Sequence, residues 1–110
     1  MEEAILKKKV TLFNALAHPL RLKILLKLRR GSCCVCEIIP FVGSEQSNVS
    51  HHLAILRNAN IVRSKKRGLE VWYEVIDPVI FELIDRADAC IMEDLRTSRK
   101  MLEELAKQES

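Results

Sequence analysis

Hydrophobic residues recur at three- and four-residue spacing along the first part of the chain, which is the pattern of amphipathic helices. The first such stretch runs from Ile5 to Ala17. Pro19 then opens a second helix over 20–28, because proline is favoured in the first helical turn. Two arginines and Gly31 follow, and this is a typical helix end. The sequence therefore predicts two helices before residue 31.

The middle of the chain predicts two more helices. The third covers Val35 to Phe41 and is kept short by Pro40. Gly43 breaks it, and Ser44 can cap a fourth helix that runs to about residue 58. At 100° per residue, one face of the fourth helix is apolar and consists of Val49, Leu53 and Leu56. The opposite face and its flanks are polar and carry Ser47, Asn48, Ser50 and His51. His52 is expected nearer the core than His51.

A change to alternating periodicity predicts two short strands, at about 61–64 and 71–75. Lys66-Arg67-Gly68 lies between them as a hairpin tip whose glycine can take a positive φ. Val71, Tyr73 and Val75 alternate with Trp72 and Glu74, so one face of the second strand is expected to be buried.

A long final helix is predicted to start at Asp77-Pro78 and to end near Ala106. Its apolar positions form a stripe that is too long for so small a core: Ile80, Leu83, Ile84, Ala87, Ile91, Leu95, Leu102 and Leu105. The excess apolar surface needs a partner, and a second copy of the chain is the economical one. Segments 1–17 and 79–106 are therefore predicted to be dimerisation helices.

These elements together predict a single domain, residues 1–110, that is mainly α with a small β-hairpin. The order α-α-α-α-β-β-α, with a polar-faced helix before a basic hairpin, is that of a dimeric winged helix-turn-helix. The chain has 110 residues, 48% of them hydrophobic and 30% charged, and this composition argues against disorder. It contains no apolar run long enough for a membrane span and no signal peptide, so a cytoplasmic protein is expected.

The distribution of charge favours nucleic acid as a partner. Residues 1–81 carry 13 Lys and Arg against 7 Asp and Glu, and residues 82–110 carry 5 against 8. Every charged residue between Gln46 and Leu69 is basic, which suits a polyanion, although a solvated basic face would look the same. The candidate DNA-binding residues lie on the fourth helix and the hairpin: Gln46, Ser47, Asn48, Ser50, His51, Arg57, Lys65, Lys66 and Arg67.

Three of the four cysteines, Cys33, Cys34 and Cys36, lie within four positions, and the fourth is Cys90. This crowding is poor geometry for a disulfide framework. Clustered thiols suit a soft metal or redox chemistry instead. A structural zinc site is not supported, because a second pair of ligands is missing. No set of residues supports catalysis or an organic cofactor, so the chain is not expected to be an enzyme.

Three segments closely resemble the ArsR/SmtB family of dimeric winged-helix repressors. They are residues 16–25 (LAHPLRLKIL), residues 47–57 (SNVSHHLAILR) and residues 67–73 (RGLEVWY). The resemblance covers nearly the whole chain. It implies a repressor that binds an imperfect palindrome in double-stranded operator DNA and releases it on binding a metal or metalloid. For the arsenic sensors of the family the inducer is arsenite or antimonite, and the genes derepressed confer metalloid resistance.

The resemblance also implies which thiols bind the inducer. Residues 32–38 (SCCVCEI) match the arsenic-sensor pattern ELCVCDL, so that Cys34 and Cys36 correspond to its paired thiolates. The third cysteine of some arsenic repressors is Ile39 here, so Cys33 is the expected third ligand and Cys90 a less favoured one. A second family site, on the last helix, binds zinc. Both of its histidines are replaced here, and the corresponding residues are Asp88, Cys90, Met101 and Glu104.

Helical spacing predicts how the inducer would act. Residues two apart on a regular helix point about 200° away from each other. Cys34 and Cys36 could then share one ion only if the turn unwound, just before the fourth helix. Cys33 is three residues from Cys36 and could share its face without unwinding.

Two alternatives remain open on the same fold. One is a redox or persulfide sensor, in which Cys33 and Cys34, or Cys36 and Cys90, oxidise. Family members that sense sulfur species carry a cysteine where this chain has Leu26, which counts against it. The other is a sensor of a different soft or transition metal. A plain protein-interaction module would leave the basic hairpin unexplained.

Overall fold

Residues 1–109, which a computed structural model describes, form five helices and three strands in the order α1 (Glu2–Leu16), α2 (Pro19–Leu28), β1 (Cys33–Cys34), α3 (Val35–Val42), α4 (Gln46–Asn58), β2 (Val62–Arg67), β3 (Glu70–Val75) and α5 (Val79–Glu109). The fold is a winged helix-turn-helix that is mainly α, as predicted. The one element that the sequence did not predict is β1.

The chain divides into two compact units, residues 1–77 and the segment from Pro78 onward. The core of the first unit is mainly apolar, and the centre of it comes from α2, α3, α4 and β2. Its most deeply buried side chains are Ile24, Leu25, Ile38, Val49, Leu53, Leu56 and Val62. Val49, Leu53 and Leu56 form the inward face predicted for α4, so the opposite face of that helix is left to solvent.

The three strands pair antiparallel in the order β1-β3-β2. Arg67 pairs with Glu70, so the turn between β2 and β3 consists of Gly68 and Leu69 only. Gly68 has a φ of 61°, which favours glycine at the first central position of a two-residue turn. The predicted tip is therefore wrong by two residues, since Lys66 and Arg67 belong to β2. Among Val71, Tyr73 and Val75, only Tyr73 is buried.

The segment between α3 and α4 fixes where the second of these helices starts. Gly43 ends α3 with a φ of 68°, and its N–H donates to the carbonyl of Ile39 at 3.0 Å. The helix that follows begins at Gln46 with Glu45 at its N-cap. Ser44 therefore does not cap it as predicted, and its hydroxyl accepts a hydrogen bond from the amide of Asn48 at 2.8 Å.

Arg21 ties three helices of the first unit together. Its guanidinium donates to the carbonyl of Ala15 at 2.7 Å and to that of Asn14 at 3.1 Å, near the end of α1. A third contact, at 3.1 Å, joins it to Nδ1 of His52 on α4. His52 is buried, whereas His51 is exposed, as the sequence predicted.

Helix α5 has 31 residues and keeps most of its apolar side chains exposed. Ile80 is buried, and the exposed large hydrophobic side chains are Val79, Ile91, Met92, Leu95, Met101, Leu102 and Leu105. On α1, Ile5, Leu6, Val10 and Phe13 are exposed as well. Within residues 1–109 no helix combines the length and the apolar character needed to cross a membrane.

Candidate inducer site and DNA-binding surface

The sulfur atoms of Cys34 and Cys36 are in direct contact and are joined as a disulfide. Cys34 is the last residue of β1 and the N-cap of α3, with an extended backbone (φ −68°, ψ 143°), and its Sγ accepts the N–H of Cys36 at 3.1 Å. Because Cys34 precedes the helix, the 200° separation of a regular helix does not apply to this pair. The prediction that the turn must unwind before the two thiols can meet is therefore wrong.

A carboxylate from the hairpin completes the cluster. Oε2 of Glu70 lies 3.1 Å from Sγ of Cys34 and 3.2 Å from Sγ of Cys36. In residues 1–109 this is the one group of three Cys, His, Asp or Glu side chains whose ligand atoms all lie within 4.8 Å. Glu70 could not be predicted from the sequence. It lies near the cysteines because β1 pairs Cys34 with Trp72 on β3, and a two-residue strand has no periodicity that would reveal this pairing.

Cys33 lies outside this cluster, although it was the expected third ligand. It is buried, it pairs with Tyr73, and its thiol donates to Oε2 of Glu37 at 3.4 Å and to the carbonyl of Cys34 at 3.6 Å. Successive residues of a strand point to opposite faces, which separates Cys33 from Cys34. Burial, and then the hydrogen bond to Glu37, raise the pKa of the Cys33 thiol. The side chain that lies beside both sulfur atoms is thus that of Glu70 and not that of Cys33.

Cys90 lies on α5 and is exposed, and the cluster of Cys34, Cys36 and Glu70 does not include it. The other residues that correspond to the second family site, Asp88, Met101 and Glu104, are exposed on the same helix. Within the described residues they form no group of three ligand side chains.

The exposed face of α4 carries all of the predicted base-reading side chains. Gln46, Ser47, Asn48, Ser50 and His51 are exposed over the first two turns, and Arg57 is exposed in the last turn. Small polar side chains on an exposed helix face can approach base edges in the major groove.

The basic residues of the hairpin are exposed along β2. Lys65 and Arg67 point to one side of the sheet and Lys66 to the other, because side chains alternate along a strand. The guanidinium of Arg67 lies over the ring of Trp72, 4.3 Å from its centre. Arg63 is paired with Glu74, with Nε and Oε1 2.7 Å apart, and this contact lowers the pKa of Glu74. Arg63 is thus matched by a negative charge on the neighbouring strand.

A cleft of about 390 Å³ joins the cluster to the surface predicted to bind DNA. Cys34, Cys36 and Glu70 line it together with Gln46 and Ser50 of α4, and the remaining lining residues are Val35, Ile39, Leu53, Leu69, Val71 and Tyr73. A ligand held by the sulfur atoms would therefore lie beside the side chains expected to read the operator.

Comparison with known proteins agrees with this architecture. Residues 18–64 match the family described as "Bacterial regulatory protein, arsR family". The chain is 40% identical over 83 residues to an HTH-type transcriptional regulator of Methanocaldococcus jannaschii, covering 74% of this chain and 93% of that protein. It is 34% identical over 88 residues to the "Arsenical resistance operon repressor" of Bacillus subtilis, covering 79% of this chain and 84% of the relative.

Among solved structures, the crystal structure of Rv0081 from M. tuberculosis is similar, with a TM-score of 0.76 and 34% identity. The match covers 84% of this chain and 93% of that one. The family and these relatives are transcriptional regulators rather than enzymes. The chain therefore belongs to the arsR family of bacterial DNA-binding regulatory proteins.

Proposed function

We propose that this protein is a repressor that releases its operator when arsenite or antimonite binds to the thiolates of Cys34 and Cys36, so that metalloid resistance genes are derepressed. The observation that carries the proposal is the contact between the two sulfur atoms in a cleft that Gln46 and Ser50 also line. The relationship to a B. subtilis arsenical resistance operon repressor supports the choice of ligand.

The chemistry of arsenite suits a pair of neighbouring thiols. Trivalent arsenic is thiophilic, and arsenous acid condenses with two thiols to form two As–S bonds. Each thiol proton leaves with one hydroxyl group of the acid as water, and one hydroxyl group remains on arsenic. Neither arsenic nor sulfur changes its oxidation state, so arsenite needs the reduced pair.

DNA binding in this proposal uses α4 and the β2–β3 hairpin. The exposed face of α4 enters the major groove, and the basic side chains of β2 reach the flanking phosphates. The proposed contact residues are Gln46, Ser47, Asn48, Ser50, His51, Arg57, Lys65, Lys66 and Arg67.

The proposed active form is a homodimer on an imperfect palindrome. Helix α5 leaves Ile91, Leu95, Leu102 and Leu105 exposed, and α1 leaves Phe13 and its apolar neighbours exposed. Exposed apolar stripes of this kind on helices are typical of interfaces. Two copies would present two α4 helices to half-sites on one face of the DNA, about 34–36 Å apart or a multiple of that.

The test is release of a fluorescent duplex carrying the protein's own promoter, followed by anisotropy with a thiol reductant present. Arsenite should release the wild-type protein. Cys34→Ser and Cys36→Ser should keep their operator affinity and lose release, because each leaves only one thiolate. Cys90→Ser, at an exposed cysteine of α5, is the matched control and should behave like the wild type. Normal release from Cys34→Ser would refute the proposal.

Oxidation of the same pair is a second candidate, because the structure joins Cys34 and Cys36 as a disulfide. The sequence alternatives had paired Cys33 with Cys34, or Cys36 with Cys90. A peroxide would oxidise the two thiols to a disulfide and be reduced to two waters. Release by hydrogen peroxide, reversed by reductant and lost in Cys36→Ser, would favour this candidate. Release by arsenite under reducing conditions favours the first.

A further inference from the structure

Glu70 is the acidic member of the cluster, and it comes from the hairpin rather than from α3. It is the first residue of β3, directly after the Gly68-Leu69 turn, and it pairs with Arg67. Its Oε2 atom lies 3.1 Å from Sγ of Cys34 and 3.2 Å from Sγ of Cys36. The side chain thus spans from the turn end of the hairpin to the start of α3.

We propose that Glu70 is the third donor of the inducer site, so that a bound ion has two sulfur ligands and one carboxylate oxygen. This inference rests on the proposed function, since it takes Cys34 and Cys36 as the other two ligands. Two thiolates and a carboxylate carry three negative charges. Such a set suits a thiophilic divalent cation, because zinc in proteins accepts both cysteine sulfur and carboxylate oxygen. The ligand class of the site therefore includes Zn²⁺ and Cd²⁺ beside arsenite.

The two sulfur–oxygen distances are close to those of a bound ion. With metal–sulfur and metal–oxygen bonds of about 2.3 and about 2.1 Å in tetrahedral geometry, sulfur and oxygen ligands lie about 3.6 Å apart. The observed separations of 3.1 and 3.2 Å are shorter by about 0.4–0.5 Å for that geometry. The carboxylate would therefore move only slightly to admit an ion, once the Cys34–Cys36 disulfide is reduced and its two sulfur atoms separate. Cys36 and Glu70 are both exposed, which leaves the remaining coordination position open to water.

The origin of the third donor gives the ion a direct connection to the hairpin. The two sulfur ligands belong to the β1–α3 junction, and the oxygen ligand belongs to the strand that carries the turn. An ion bound to all three would fix the turn end of the hairpin to the start of α3. The pairing of β1 with β3 already holds the hairpin at Trp72 and Tyr73, but two thiolates alone would leave its turn end unconstrained. Glu70 is therefore expected to contribute to operator release as well as to affinity.

The first experiment measures Cd²⁺ binding to the reduced full chain by the ultraviolet absorbance of thiolate–cadmium charge transfer. Glu70→Gln keeps the shape of the side chain and removes its charge, and it should weaken Cd²⁺ binding by about tenfold or more. Glu37→Gln is the matched control, because that carboxylate contacts the thiol of Cys33 instead. The control should stay within about twofold of the wild type, because Glu37 is not a member of the group of ligand atoms.

The second experiment converts the oxygen donor to sulfur. Glu70→Cys would give three thiolates, which trivalent arsenic prefers, so arsenite should bind about tenfold more tightly or better. Operator release, followed by anisotropy, should then occur at proportionally lower arsenite. Glu70 is exposed, and a cooperative urea unfolding transition like that of the wild type establishes that each variant is folded.

The outcomes separate this inference from the proposed function. Loss of Cd²⁺ and arsenite binding in Cys34→Ser, together with the expected changes at residue 70, supports both. Loss in Cys34→Ser with wild-type binding in Glu70→Gln and Glu70→Cys overturns the inference and leaves the proposed function standing. Unchanged binding and release in Cys34→Ser overturns the proposed function and the inference together.

Discussion

Replacing Lys66 by alanine is expected to weaken binding to every DNA duplex and to reduce the dependence of that binding on salt. Lys66 is an exposed residue of β2, one position before the last residue of the strand. Phosphates are the same whatever the base sequence. A contact between the ammonium group of Lys66 and a phosphate is therefore electrostatic and does not depend on sequence. Operator and unrelated DNA should therefore lose affinity by similar factors.

The size of the effect follows from counterion release. Each phosphate that a protein neutralises makes the slope of log K against log salt more negative by about 0.9. In the proposed dimer one substitution removes two such contacts, so the slope should become less negative by about 1.8. When salt rises from about 50 to about 200 mM, a slope difference of about 1.8 means that the variant loses about twelvefold less affinity than the wild type does.

The assay is fluorescence anisotropy of operator and scrambled duplexes over that range of salt. The matched control is Arg63→Gln combined with Glu74→Gln, because these side chains form an ion pair on the same hairpin and the double change leaves the net charge unchanged. The control should keep the wild-type slope. A Lys66→Ala slope equal to that of the wild type, or a control that falls by as much as Lys66→Ala, would refute the assignment of Lys66 to the phosphates.

Three further predictions concern stability, each measured by urea denaturation at fixed protein concentration. Arg21→Met should lower the free energy of unfolding by about 2–4 kcal/mol, since it removes charged hydrogen bonds to the carbonyls of Asn14 and Ala15 and a contact to His52. Gly43→Ala should cost about 1–2 kcal/mol because of the φ of 68°. Burial lowers the pKa of His52 from its ordinary value of 6.5, so the unfolded chain binds the proton more readily. Stability should therefore fall as pH drops through 6.5, and reach a plateau below the lowered pKa.

Each of these predictions has its own control. Arg30→Met, at an exposed position just after α2, should change the free energy of unfolding by less than about 0.5 kcal/mol. Gly43→Asn should cost less than Gly43→Ala, because asparagine tolerates the left-handed conformation better. His52→Gln should flatten the pH dependence below about pH 6.5, whereas His51→Gln at the exposed neighbouring position should not. If a variant and its control had equal effects, the structural reason given for that prediction would be contradicted.

The helices of the first unit could be predicted from the sequence because their signals are local. Apolar spacing, Pro19 at the first position of α2 and Gly43 after α3 placed three helices to within two residues of their observed ends. The same periodicity separated the buried face of α4 from its exposed polar face. The pairing of a polar-faced helix with a basic hairpin then indicated the winged helix-turn-helix, because a helix and a hairpin each depend on contacts between residues close in the chain.

Only the tertiary structure decided how the thiols are arranged. The strand β1 has two residues, so it has no alternation to detect, and it exists because Cys33 and Cys34 pair with Tyr73 and Trp72 of a strand far along the chain. That pairing ends the extended segment at Cys34 and starts α3 at Val35, which frees the first thiol to meet the second. It also brings Glu70 to both sulfur atoms and directs Cys33 elsewhere. Spacing along a chain determines the geometry within one helix, whereas the distance between a helix terminus and a remote strand is fixed only by the packing of the whole unit.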